Sequence, residues 1–380
     1  MEKEKATERS TPAKNSGATG VLTIPIVRDK LLFTPGPLTT SRGVKAAMNH
    51  DLGSRDDLFL AVVEEIRNQL VKLAQSSPES YTAVLMQGSG SFGVESVISS
   101  VIPPKGKLLA VVNGAYGERL LKMALVHRVD TVVLRYPENQ KVKPGDISDR
   151  LAEDPAISHV AMVHCETTSG ILNPLEECAA ATRAAGRSLI VDAMSSFGAY
   201  PVPVEAWGID FLISSANKCL EGVPGFSFVI ARLKSLREGS GVARTVSLDL
   251  YDQYRELEES GQFRFTPPIQ VLLAFRQALR ELEAEGGIEA RGERYRANHL
   301  ALTSGMKALG LKEYLDPEAQ SFIITTYHYP DHPRFDFNRF YDRLSDFNCV
   351  IYPGKVEGAD CFRIGTIGRI HSHDVETLVR

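Results

Sequence analysis

SLIVDAMSSFGAYPVPVEAWGIDFLISSANKCLEGVPGFSFVIA (188–231) contains three short unbroken apolar runs, SLIVD, FLISS and FSFVIA, separated by segments rich in Gly, Pro, Ser and Asn. Runs of that length without polar alternation suit strands covered on both faces. Upstream the pattern recurs and alternates with helical spacing. TAVLMQ (82–87) precedes a helix from about Gly93, KLLAVVN (107–113) one from about Tyr116, and HVAMVH (159–164) one from about Pro174. Strand-helix alternation implies right-handed crossovers and mostly parallel pairing, so the reading is a doubly wound α/β domain.

Toward the N-terminus, Leu58, Val62, Ile66, Leu70 and Leu73 recur at helical spacing and predict one amphipathic helix. Before it, LLFTPGPLTTS (31–41) places two prolines around a glycine and cannot be a helix interior. Residues 21–42 are read as an extended segment lining the active site. Residues 1–20 mix both charges with Ser, Thr, Gly and Ala, and are read as a mobile leader. Beyond about Thr266 the character changes to a long helix closed by Gly286 and Gly287, a second from about Gly292 to Leu309, SFIITTYHY (321–329), a helix near 335–347 and CFRIGTIG (361–368). The expected division is a large domain over 43–267 and a smaller α+β domain over 268–380. The chain stops at Arg380 inside what reads as its final helix, so an incomplete C-terminus is expected.

The 380 residues carry 43 Lys plus Arg against 47 Asp plus Glu, a net charge of -4, which argues against a nucleic-acid binder. No apolar run approaches the roughly 18–20 residues that span a bilayer, and no signal-peptide core opens the chain, so a cytoplasmic protein is expected. Cys165, Cys178, Cys219, Cys349 and Cys361 are odd in number and far apart, which suggests buried thiols rather than a disulfide framework. The nine histidines are dispersed, and no metal site is expected.

Three constellations could carry chemistry. GSGSFG (88–93) follows an apolar strand and opens a helix, where free backbone N–H groups and two serines make a phosphate cradle. It also matches the dinucleotide fingerprint G-x-G-x-x-G. That reading needs an acidic residue at the end of the next strand, which ends instead in Asn113 and Gly114. A tight turn without a ligand is the plain alternative. Asp192 ends the strand SLIV, at the strand edge where parallel α/β sheets gather ligands, although a cap or loop acid fits the same position. Lys218 follows FLISS at that edge, between two apolar runs, where a lysine can lose its proton and become a nucleophile; most lysines are solvated surface charges. Cradle, acid and lysine together describe a phosphorylated pyridine aldehyde joined to the lysine, with a carboxylate facing the ring nitrogen.

These residues sit in segments that resemble the fold-type I pyridoxal-phosphate aminotransferases, in the branch acting on 2-aminoethylphosphonate and pyruvate. The segments include LLFTPGPLTTSR (31–42), LMQGSGSFGVESV (85–97), NGAYGERL (113–120), SHVAMVHCETTSGILNP (158–174), IVDAMSSFG (190–198), FLISSANKCLEGVPGFSFVIAR (211–232), VSLDLY (246–251), RFTPP (264–268), VIYPGK (350–355) and CFRIG (361–365). The resemblance implies pyridoxal 5'-phosphate as cofactor, joined to Lys218 and paired through its ring nitrogen with Asp192. It places Ser89, Gly90 and Ser91 on the phosphate, helped by Thr266 from a second subunit of a homodimer with shared active sites. Tyr116 would lie against the ring, Thr167 near the ring hydroxyl, Met194 and Asn217 around the cofactor, and Arg363 on the substrate anion. Relatives in that branch carry a tryptophan where this chain has Arg55, which is either a surface arginine or a contact for a doubly charged phosphonate. Two rival readings are a related alanine- or serine-glyoxylate aminotransferase and an aminophosphonate lyase. A nicotinamide dehydrogenase and a scaffold without chemistry are the alternatives outside the family.

Overall fold

Seven strands form one twisted sheet in the order Tyr81–Gln87, Phe226–Arg232, Phe211–Ser215, Ser188–Asp192, Ile157–Val163, Lys107–Val112, Asp130–Arg135. This is a computed structural model, and it describes residues 29–380; the leader and residues 21–28 lie outside the described residues. All neighbouring strands are parallel except that Phe226–Arg232 runs antiparallel to both of its partners. The central strands are buried along almost their whole length, as their unbroken apolar runs require. Among the elements new relative to the sequence reading are the edge strand Asp130–Arg135, which is half-exposed and ends in charges, and the helices Pro144–Glu153 and Leu250–Glu259. An edge strand buries one face only, so its apolar signal is diluted.

The helix Asp57–Leu73 opens at Asp56, whose side chain accepts the Leu58 N–H, and it lies on the sheet. Its buried stripe is Phe59, Val62, Val63, Ile66, Leu70 and Val71. Leu58, expected in that stripe, is 68% exposed, because the stripe begins one residue later at Phe59. Each such side chain contributes about 1.5–3 kcal/mol when fully buried.

The helix Ile269–Glu285 ends at Gly286, whose φ of +111° is a conformation glycine adopts without penalty. Although it lies past residue 267, it joins the large core through Leu272, Phe275, Leu279 and Leu282, packing on the helix Asp57–Leu73, with the Phe275 ring edge-on to Phe226 at 5.0 Å. The next helix, Gly287–Ala308, begins five residues before the expected Gly292. A three-stranded antiparallel sheet, Ile324–His328, Cys361–Gly365 and Tyr352–Pro353, then builds a second core with Leu302, Met306, Phe362, Ile364 and Ile370. Phe33 is buried in this second core, and Leu31–Leu32 pairs in parallel with Cys349–Val350. The N-terminal segment therefore starts on the second core and runs on toward the carboxyl edge of the large sheet.

Candidate active site

Four elements deliver the site. The strand Tyr81–Gln87 turns at Gly88 into the helix Gly90–Val101, three residues earlier than the expected start at Gly93. The Phe92 N–H closes the first turn onto the Ser89 carbonyl at 2.9 Å. Ser89 is thus the N-cap residue, with its hydroxyl making no cap bond, and the Gly90 and Ser91 N–H groups have no intrahelical acceptor. Such a terminus attracts anions. A side chain at Gly90 would come within 2.5 Å of the Met194 sulfur, so glycine is required for the close approach of that residue.

Asp192 stands at the carboxyl end of its strand, buried. Its Oδ1 accepts the Met194 N–H at 3.0 Å, and Oδ2 has no hydrogen-bond partner among the described residues. Burial lifts its carboxyl to about 6; the Met194 hydrogen bond opposes this and the nearby Glu166 adds to it.

Lys218 lies in the loop after Phe211–Ser215, and its Nζ donates to the Pro35 carbonyl. Here Gly36, at φ +132°, passes so close that a Cβ would sit 2.7 Å from Lys218 Nζ. Burial pushes the lysine ammonium down to about 8, against the opposing pull of Cys219 and Asp192. Behind the loop, Arg291 Nη1 donates to the Cys219 carbonyl at 2.8 Å, and Tyr295 Oη donates to Glu221 at 2.6 Å.

Tyr116 begins the helix Ala115–Val126, and buried Glu166 accepts its N–H at 3.2 Å and that of Gly117 at 3.0 Å. The Thr167 hydroxyl lies 2.8 Å from that of Ser195, and the Thr167 carbonyl accepts Arg363 Nη1 at 2.8 Å. Arg363 Nε donates to the Pro353 carbonyl at 3.1 Å.

One cavity is lined by Ser89, Gly90, Ser91, Tyr116, Thr167, Asp192, Met194, Asn217 and Lys218, so these predicted residues converge. Arg363 adjoins it through Thr167. Thr266 and Arg55 do not line it; they share a separate surface cleft with Phe263, Arg264 and Phe265. The sequence reading missed Arg119, Ser195 and Ser215, which line the cavity, and Glu166, which holds the start of the Tyr116 helix. Arg119 was within reach of it, because a residue three positions after Tyr116 shares its helix face; its Nη1 donates to the Ser91 hydroxyl at 3.1 Å. At the strand end where a nicotinamide site needs an acid, the Asn113 amide is tied to Asn173 at 2.8 Å and to the Gln140 carbonyl at 3.0 Å.

The described residues include no helix long and apolar enough to cross a membrane, and no group of three or more His, Cys, Asp or Glu side chains arranged for a metal ion. Residues 39–340 match the model of the family described as aminotransferase class-V. A 2-aminoethylphosphonate–pyruvate transaminase of Phocaeicola vulgatus is 51% identical over 93% of this chain and 98% of its own. A protein of the same name from Klebsiella pneumoniae is 51% identical over 93% of this chain and 96% of its own. Among solved structures, an alanine–glyoxylate aminotransferase from Nostoc superposes with a TM-score of 0.86 at 27% identity, covering 94% of this chain and 96% of that one.

Proposed function

Because the chain belongs to the class-V aminotransferases, we propose that it moves the amino group of 2-aminoethylphosphonate to pyruvate, giving phosphonoacetaldehyde and alanine. The observation that carries this reading is the convergence of Lys218, Asp192 and the N-terminus of Gly90–Val101 on one cavity. The names of relatives 51% identical over nearly their full length supply the substrate class.

The family's cofactor is pyridoxal 5'-phosphate, and the residues present fit it. An unpartnered oxygen of buried Asp192, a lysine whose ammonium burial weakens, and an uncapped helix N-terminus meet three different parts of such a molecule. Ser89, Gly90 and Ser91 would hold the phosphate, Tyr116 and Met194 would lie against the ring, and Asn217 and Thr167 would stand beside it. When bound, the cofactor supplies an electron-withdrawing ring that draws off charge developing at the amine-bearing carbon. Asp192 would hold a proton on the cofactor's ring nitrogen, which a carboxylate does and an amide does not. With the cofactor bound, Lys218 Nζ would be the base that takes the proton from the amine-bearing carbon and the acid that delivers it on the cofactor side. Its ammonium titrates at about 8, so a useful fraction is the free base near neutral pH. Arg363 binds the substrate anion, a phosphonate in one half-reaction and a carboxylate in the other.

Thr266, and with it Arg55, reaches the site from the second subunit of a homodimer. Both stand together in one surface cleft, as a contribution in trans requires. The division into a cofactor-binding domain and a smaller C-terminal domain follows the two cores, with Ile269–Glu285 serving the first. Five buried, unpaired thiols support a cytoplasmic, reducing location.

The test is a visible spectrum of the purified protein before and after 2-aminoethylphosphonate, together with alanine formation from pyruvate. A cofactor band that shifts with this amine, and alanine formed in proportion to it, are expected; Lys218→Ala should remove both. Turnover with serine and silence with 2-aminoethylphosphonate would favour the glyoxylate-type reading.

A further inference from the structure

Lys355 ends the run VIYPGK, just past the strand Tyr352–Pro353, and its Nζ lies 5.8 Å from the centroid of the Tyr116 ring. The strand beside it carries Arg363, with Tyr352 opposite Arg363 and Pro353 opposite Phe362. The turn between them is closed by the Gly354 N–H on the Cys361 carbonyl at 2.9 Å. Arg119 lies over the same Tyr116 ring at 4.8 Å. Three cations, Arg119 from a helix, Arg363 from a strand and Lys355 from the turn beside it, therefore gather around one aromatic wall of the site.

Their charges crowd one another. Burial first, then Arg363 and Arg119, hold the Lys355 ammonium below its ordinary value. Glu166 opposes this, but its carboxylate is already occupied by the Tyr116 and Gly117 N–H groups and by Thr168. Arg363 is also less free than its sequence suggests, because Nε and Nη1 each donate to a main-chain carbonyl. Only its remaining edge can meet a ligand, and its single positive charge cannot by itself neutralise two negative ones. A carboxylate carries one negative charge, whereas a phospho group carries close to two near neutral pH. A crowded cation pair gains more from a ligand with two negative charges than from one with a single charge.

We infer that Lys355 is a specificity-determining residue that binds the phosphonate beside Arg363 and favours aminophosphonate over aminocarboxylate donors. This rests on the substrate reading above. The test compares the cofactor-loaded full chain with Lys355→Met, which keeps a similar stem, and Lys355→Arg, which keeps the charge. For the methionine variant, kcat/KM for 2-aminoethylphosphonate should fall about 10- to 100-fold, the range for losing a hydrogen bond to a charged group. The value for alanine in the reverse half-reaction should change less than about 3-fold, and the arginine variant should restore most of the loss. Equal losses with both amines, or none with either, would overturn the inference. Calorimetry with ethylphosphonate and propionate, which lack the amine, keeps it separable from the substrate reading. Lys355→Met should weaken ethylphosphonate selectively even if the unaltered enzyme failed to turn over 2-aminoethylphosphonate. Unchanged binding of both anions would refute the role of Lys355 while leaving the transaminase reading intact.

Discussion

The carboxyl of Asp192 is held where its ionised form is disfavoured, with burial lifting it from 3.8 to about 6. A group whose folded pKa exceeds its unfolded value binds its proton more tightly in the folded chain. Its stabilising contribution is full below pH 3.8 and is lost as pH rises through about 6. At pH 7 the cofactor-free protein carries this charge at a cost of roughly 2–3 kcal/mol, at about 1.4 kcal/mol per pH unit. Asparagine keeps an Oδ1 acceptor for the Met194 N–H and removes the charge. Asp192→Asn should therefore raise the melting temperature of the cofactor-free protein at pH 7 by a few degrees, and the difference should shrink toward pH 4. Transamination should fall by at least about 100-fold, the scale of losing a positioned proton-holding group. Calorimetric scans of both proteins at the two pH values check the first expectation, and an identical melting difference at both would contradict the burial argument.

Between elements, the loop carrying Lys218 is tied to the C-terminal part of the chain by buried charges. Arg294 donates to Glu285 at 2.6 Å, to Glu221 at 2.7 Å and to the carbonyls of Gly368 and Ile370 at 2.7 and 3.0 Å. Arg291 adds a bond to Glu285 at 2.6 Å and one to the Cys219 carbonyl at 2.8 Å. Removing one partner of a buried pair strands the other, which costs about 3–5 kcal/mol. Arg294→Met should lower the urea midpoint correspondingly and loosen cofactor retention, while the isosteric control Glu293→Gln, on an exposed side chain, should do neither. An unchanged midpoint would mean that Glu221 and Glu285 find other partners. Nothing in GERYR (292–296) distinguishes Arg294 from a solvated helix charge, because its partners are the end of the preceding helix, Glu285, and loop groups more than 70 residues away. The central strands were legible for the opposite reason: a strand covered on both faces is dominated by apolar residues, as Leu189–Val191, Phe211–Ile213 and Phe228–Ala231 are. Lys218 and Asp192 were legible because they interrupt that apolarity at its carboxyl end. The early helix start at Gly90 was hidden because glycine and serine disfavour helix, and only the tertiary fit against Met194 overrides them.

For the molecule as a whole, the cavity built within one chain lacks Thr266, which instead faces outward with Arg55 in a cleft beside the exposed Phe265. The Gln87 side chain anchors this stretch by donating to the Phe265 carbonyl at 2.9 Å, at the strand end that precedes the turn into Gly90–Val101. Two-fold pairing across such a face is isologous, so each subunit would lend Thr266 to the other's cavity. Complementation between two impaired chains tests this directly. Lys218→Ala chains lack the lysine and keep Thr266, whereas Thr266→Ala chains do the reverse. Equal refolding of the two gives half mixed dimers, each with one intact site and one doubly defective site. About a quarter of wild-type activity is then expected if Thr266 acts in trans across a two-fold dimer. If it acts within its own chain, every site in the mixture carries a defect, and the activity stays at half that of the Thr266→Ala protein alone.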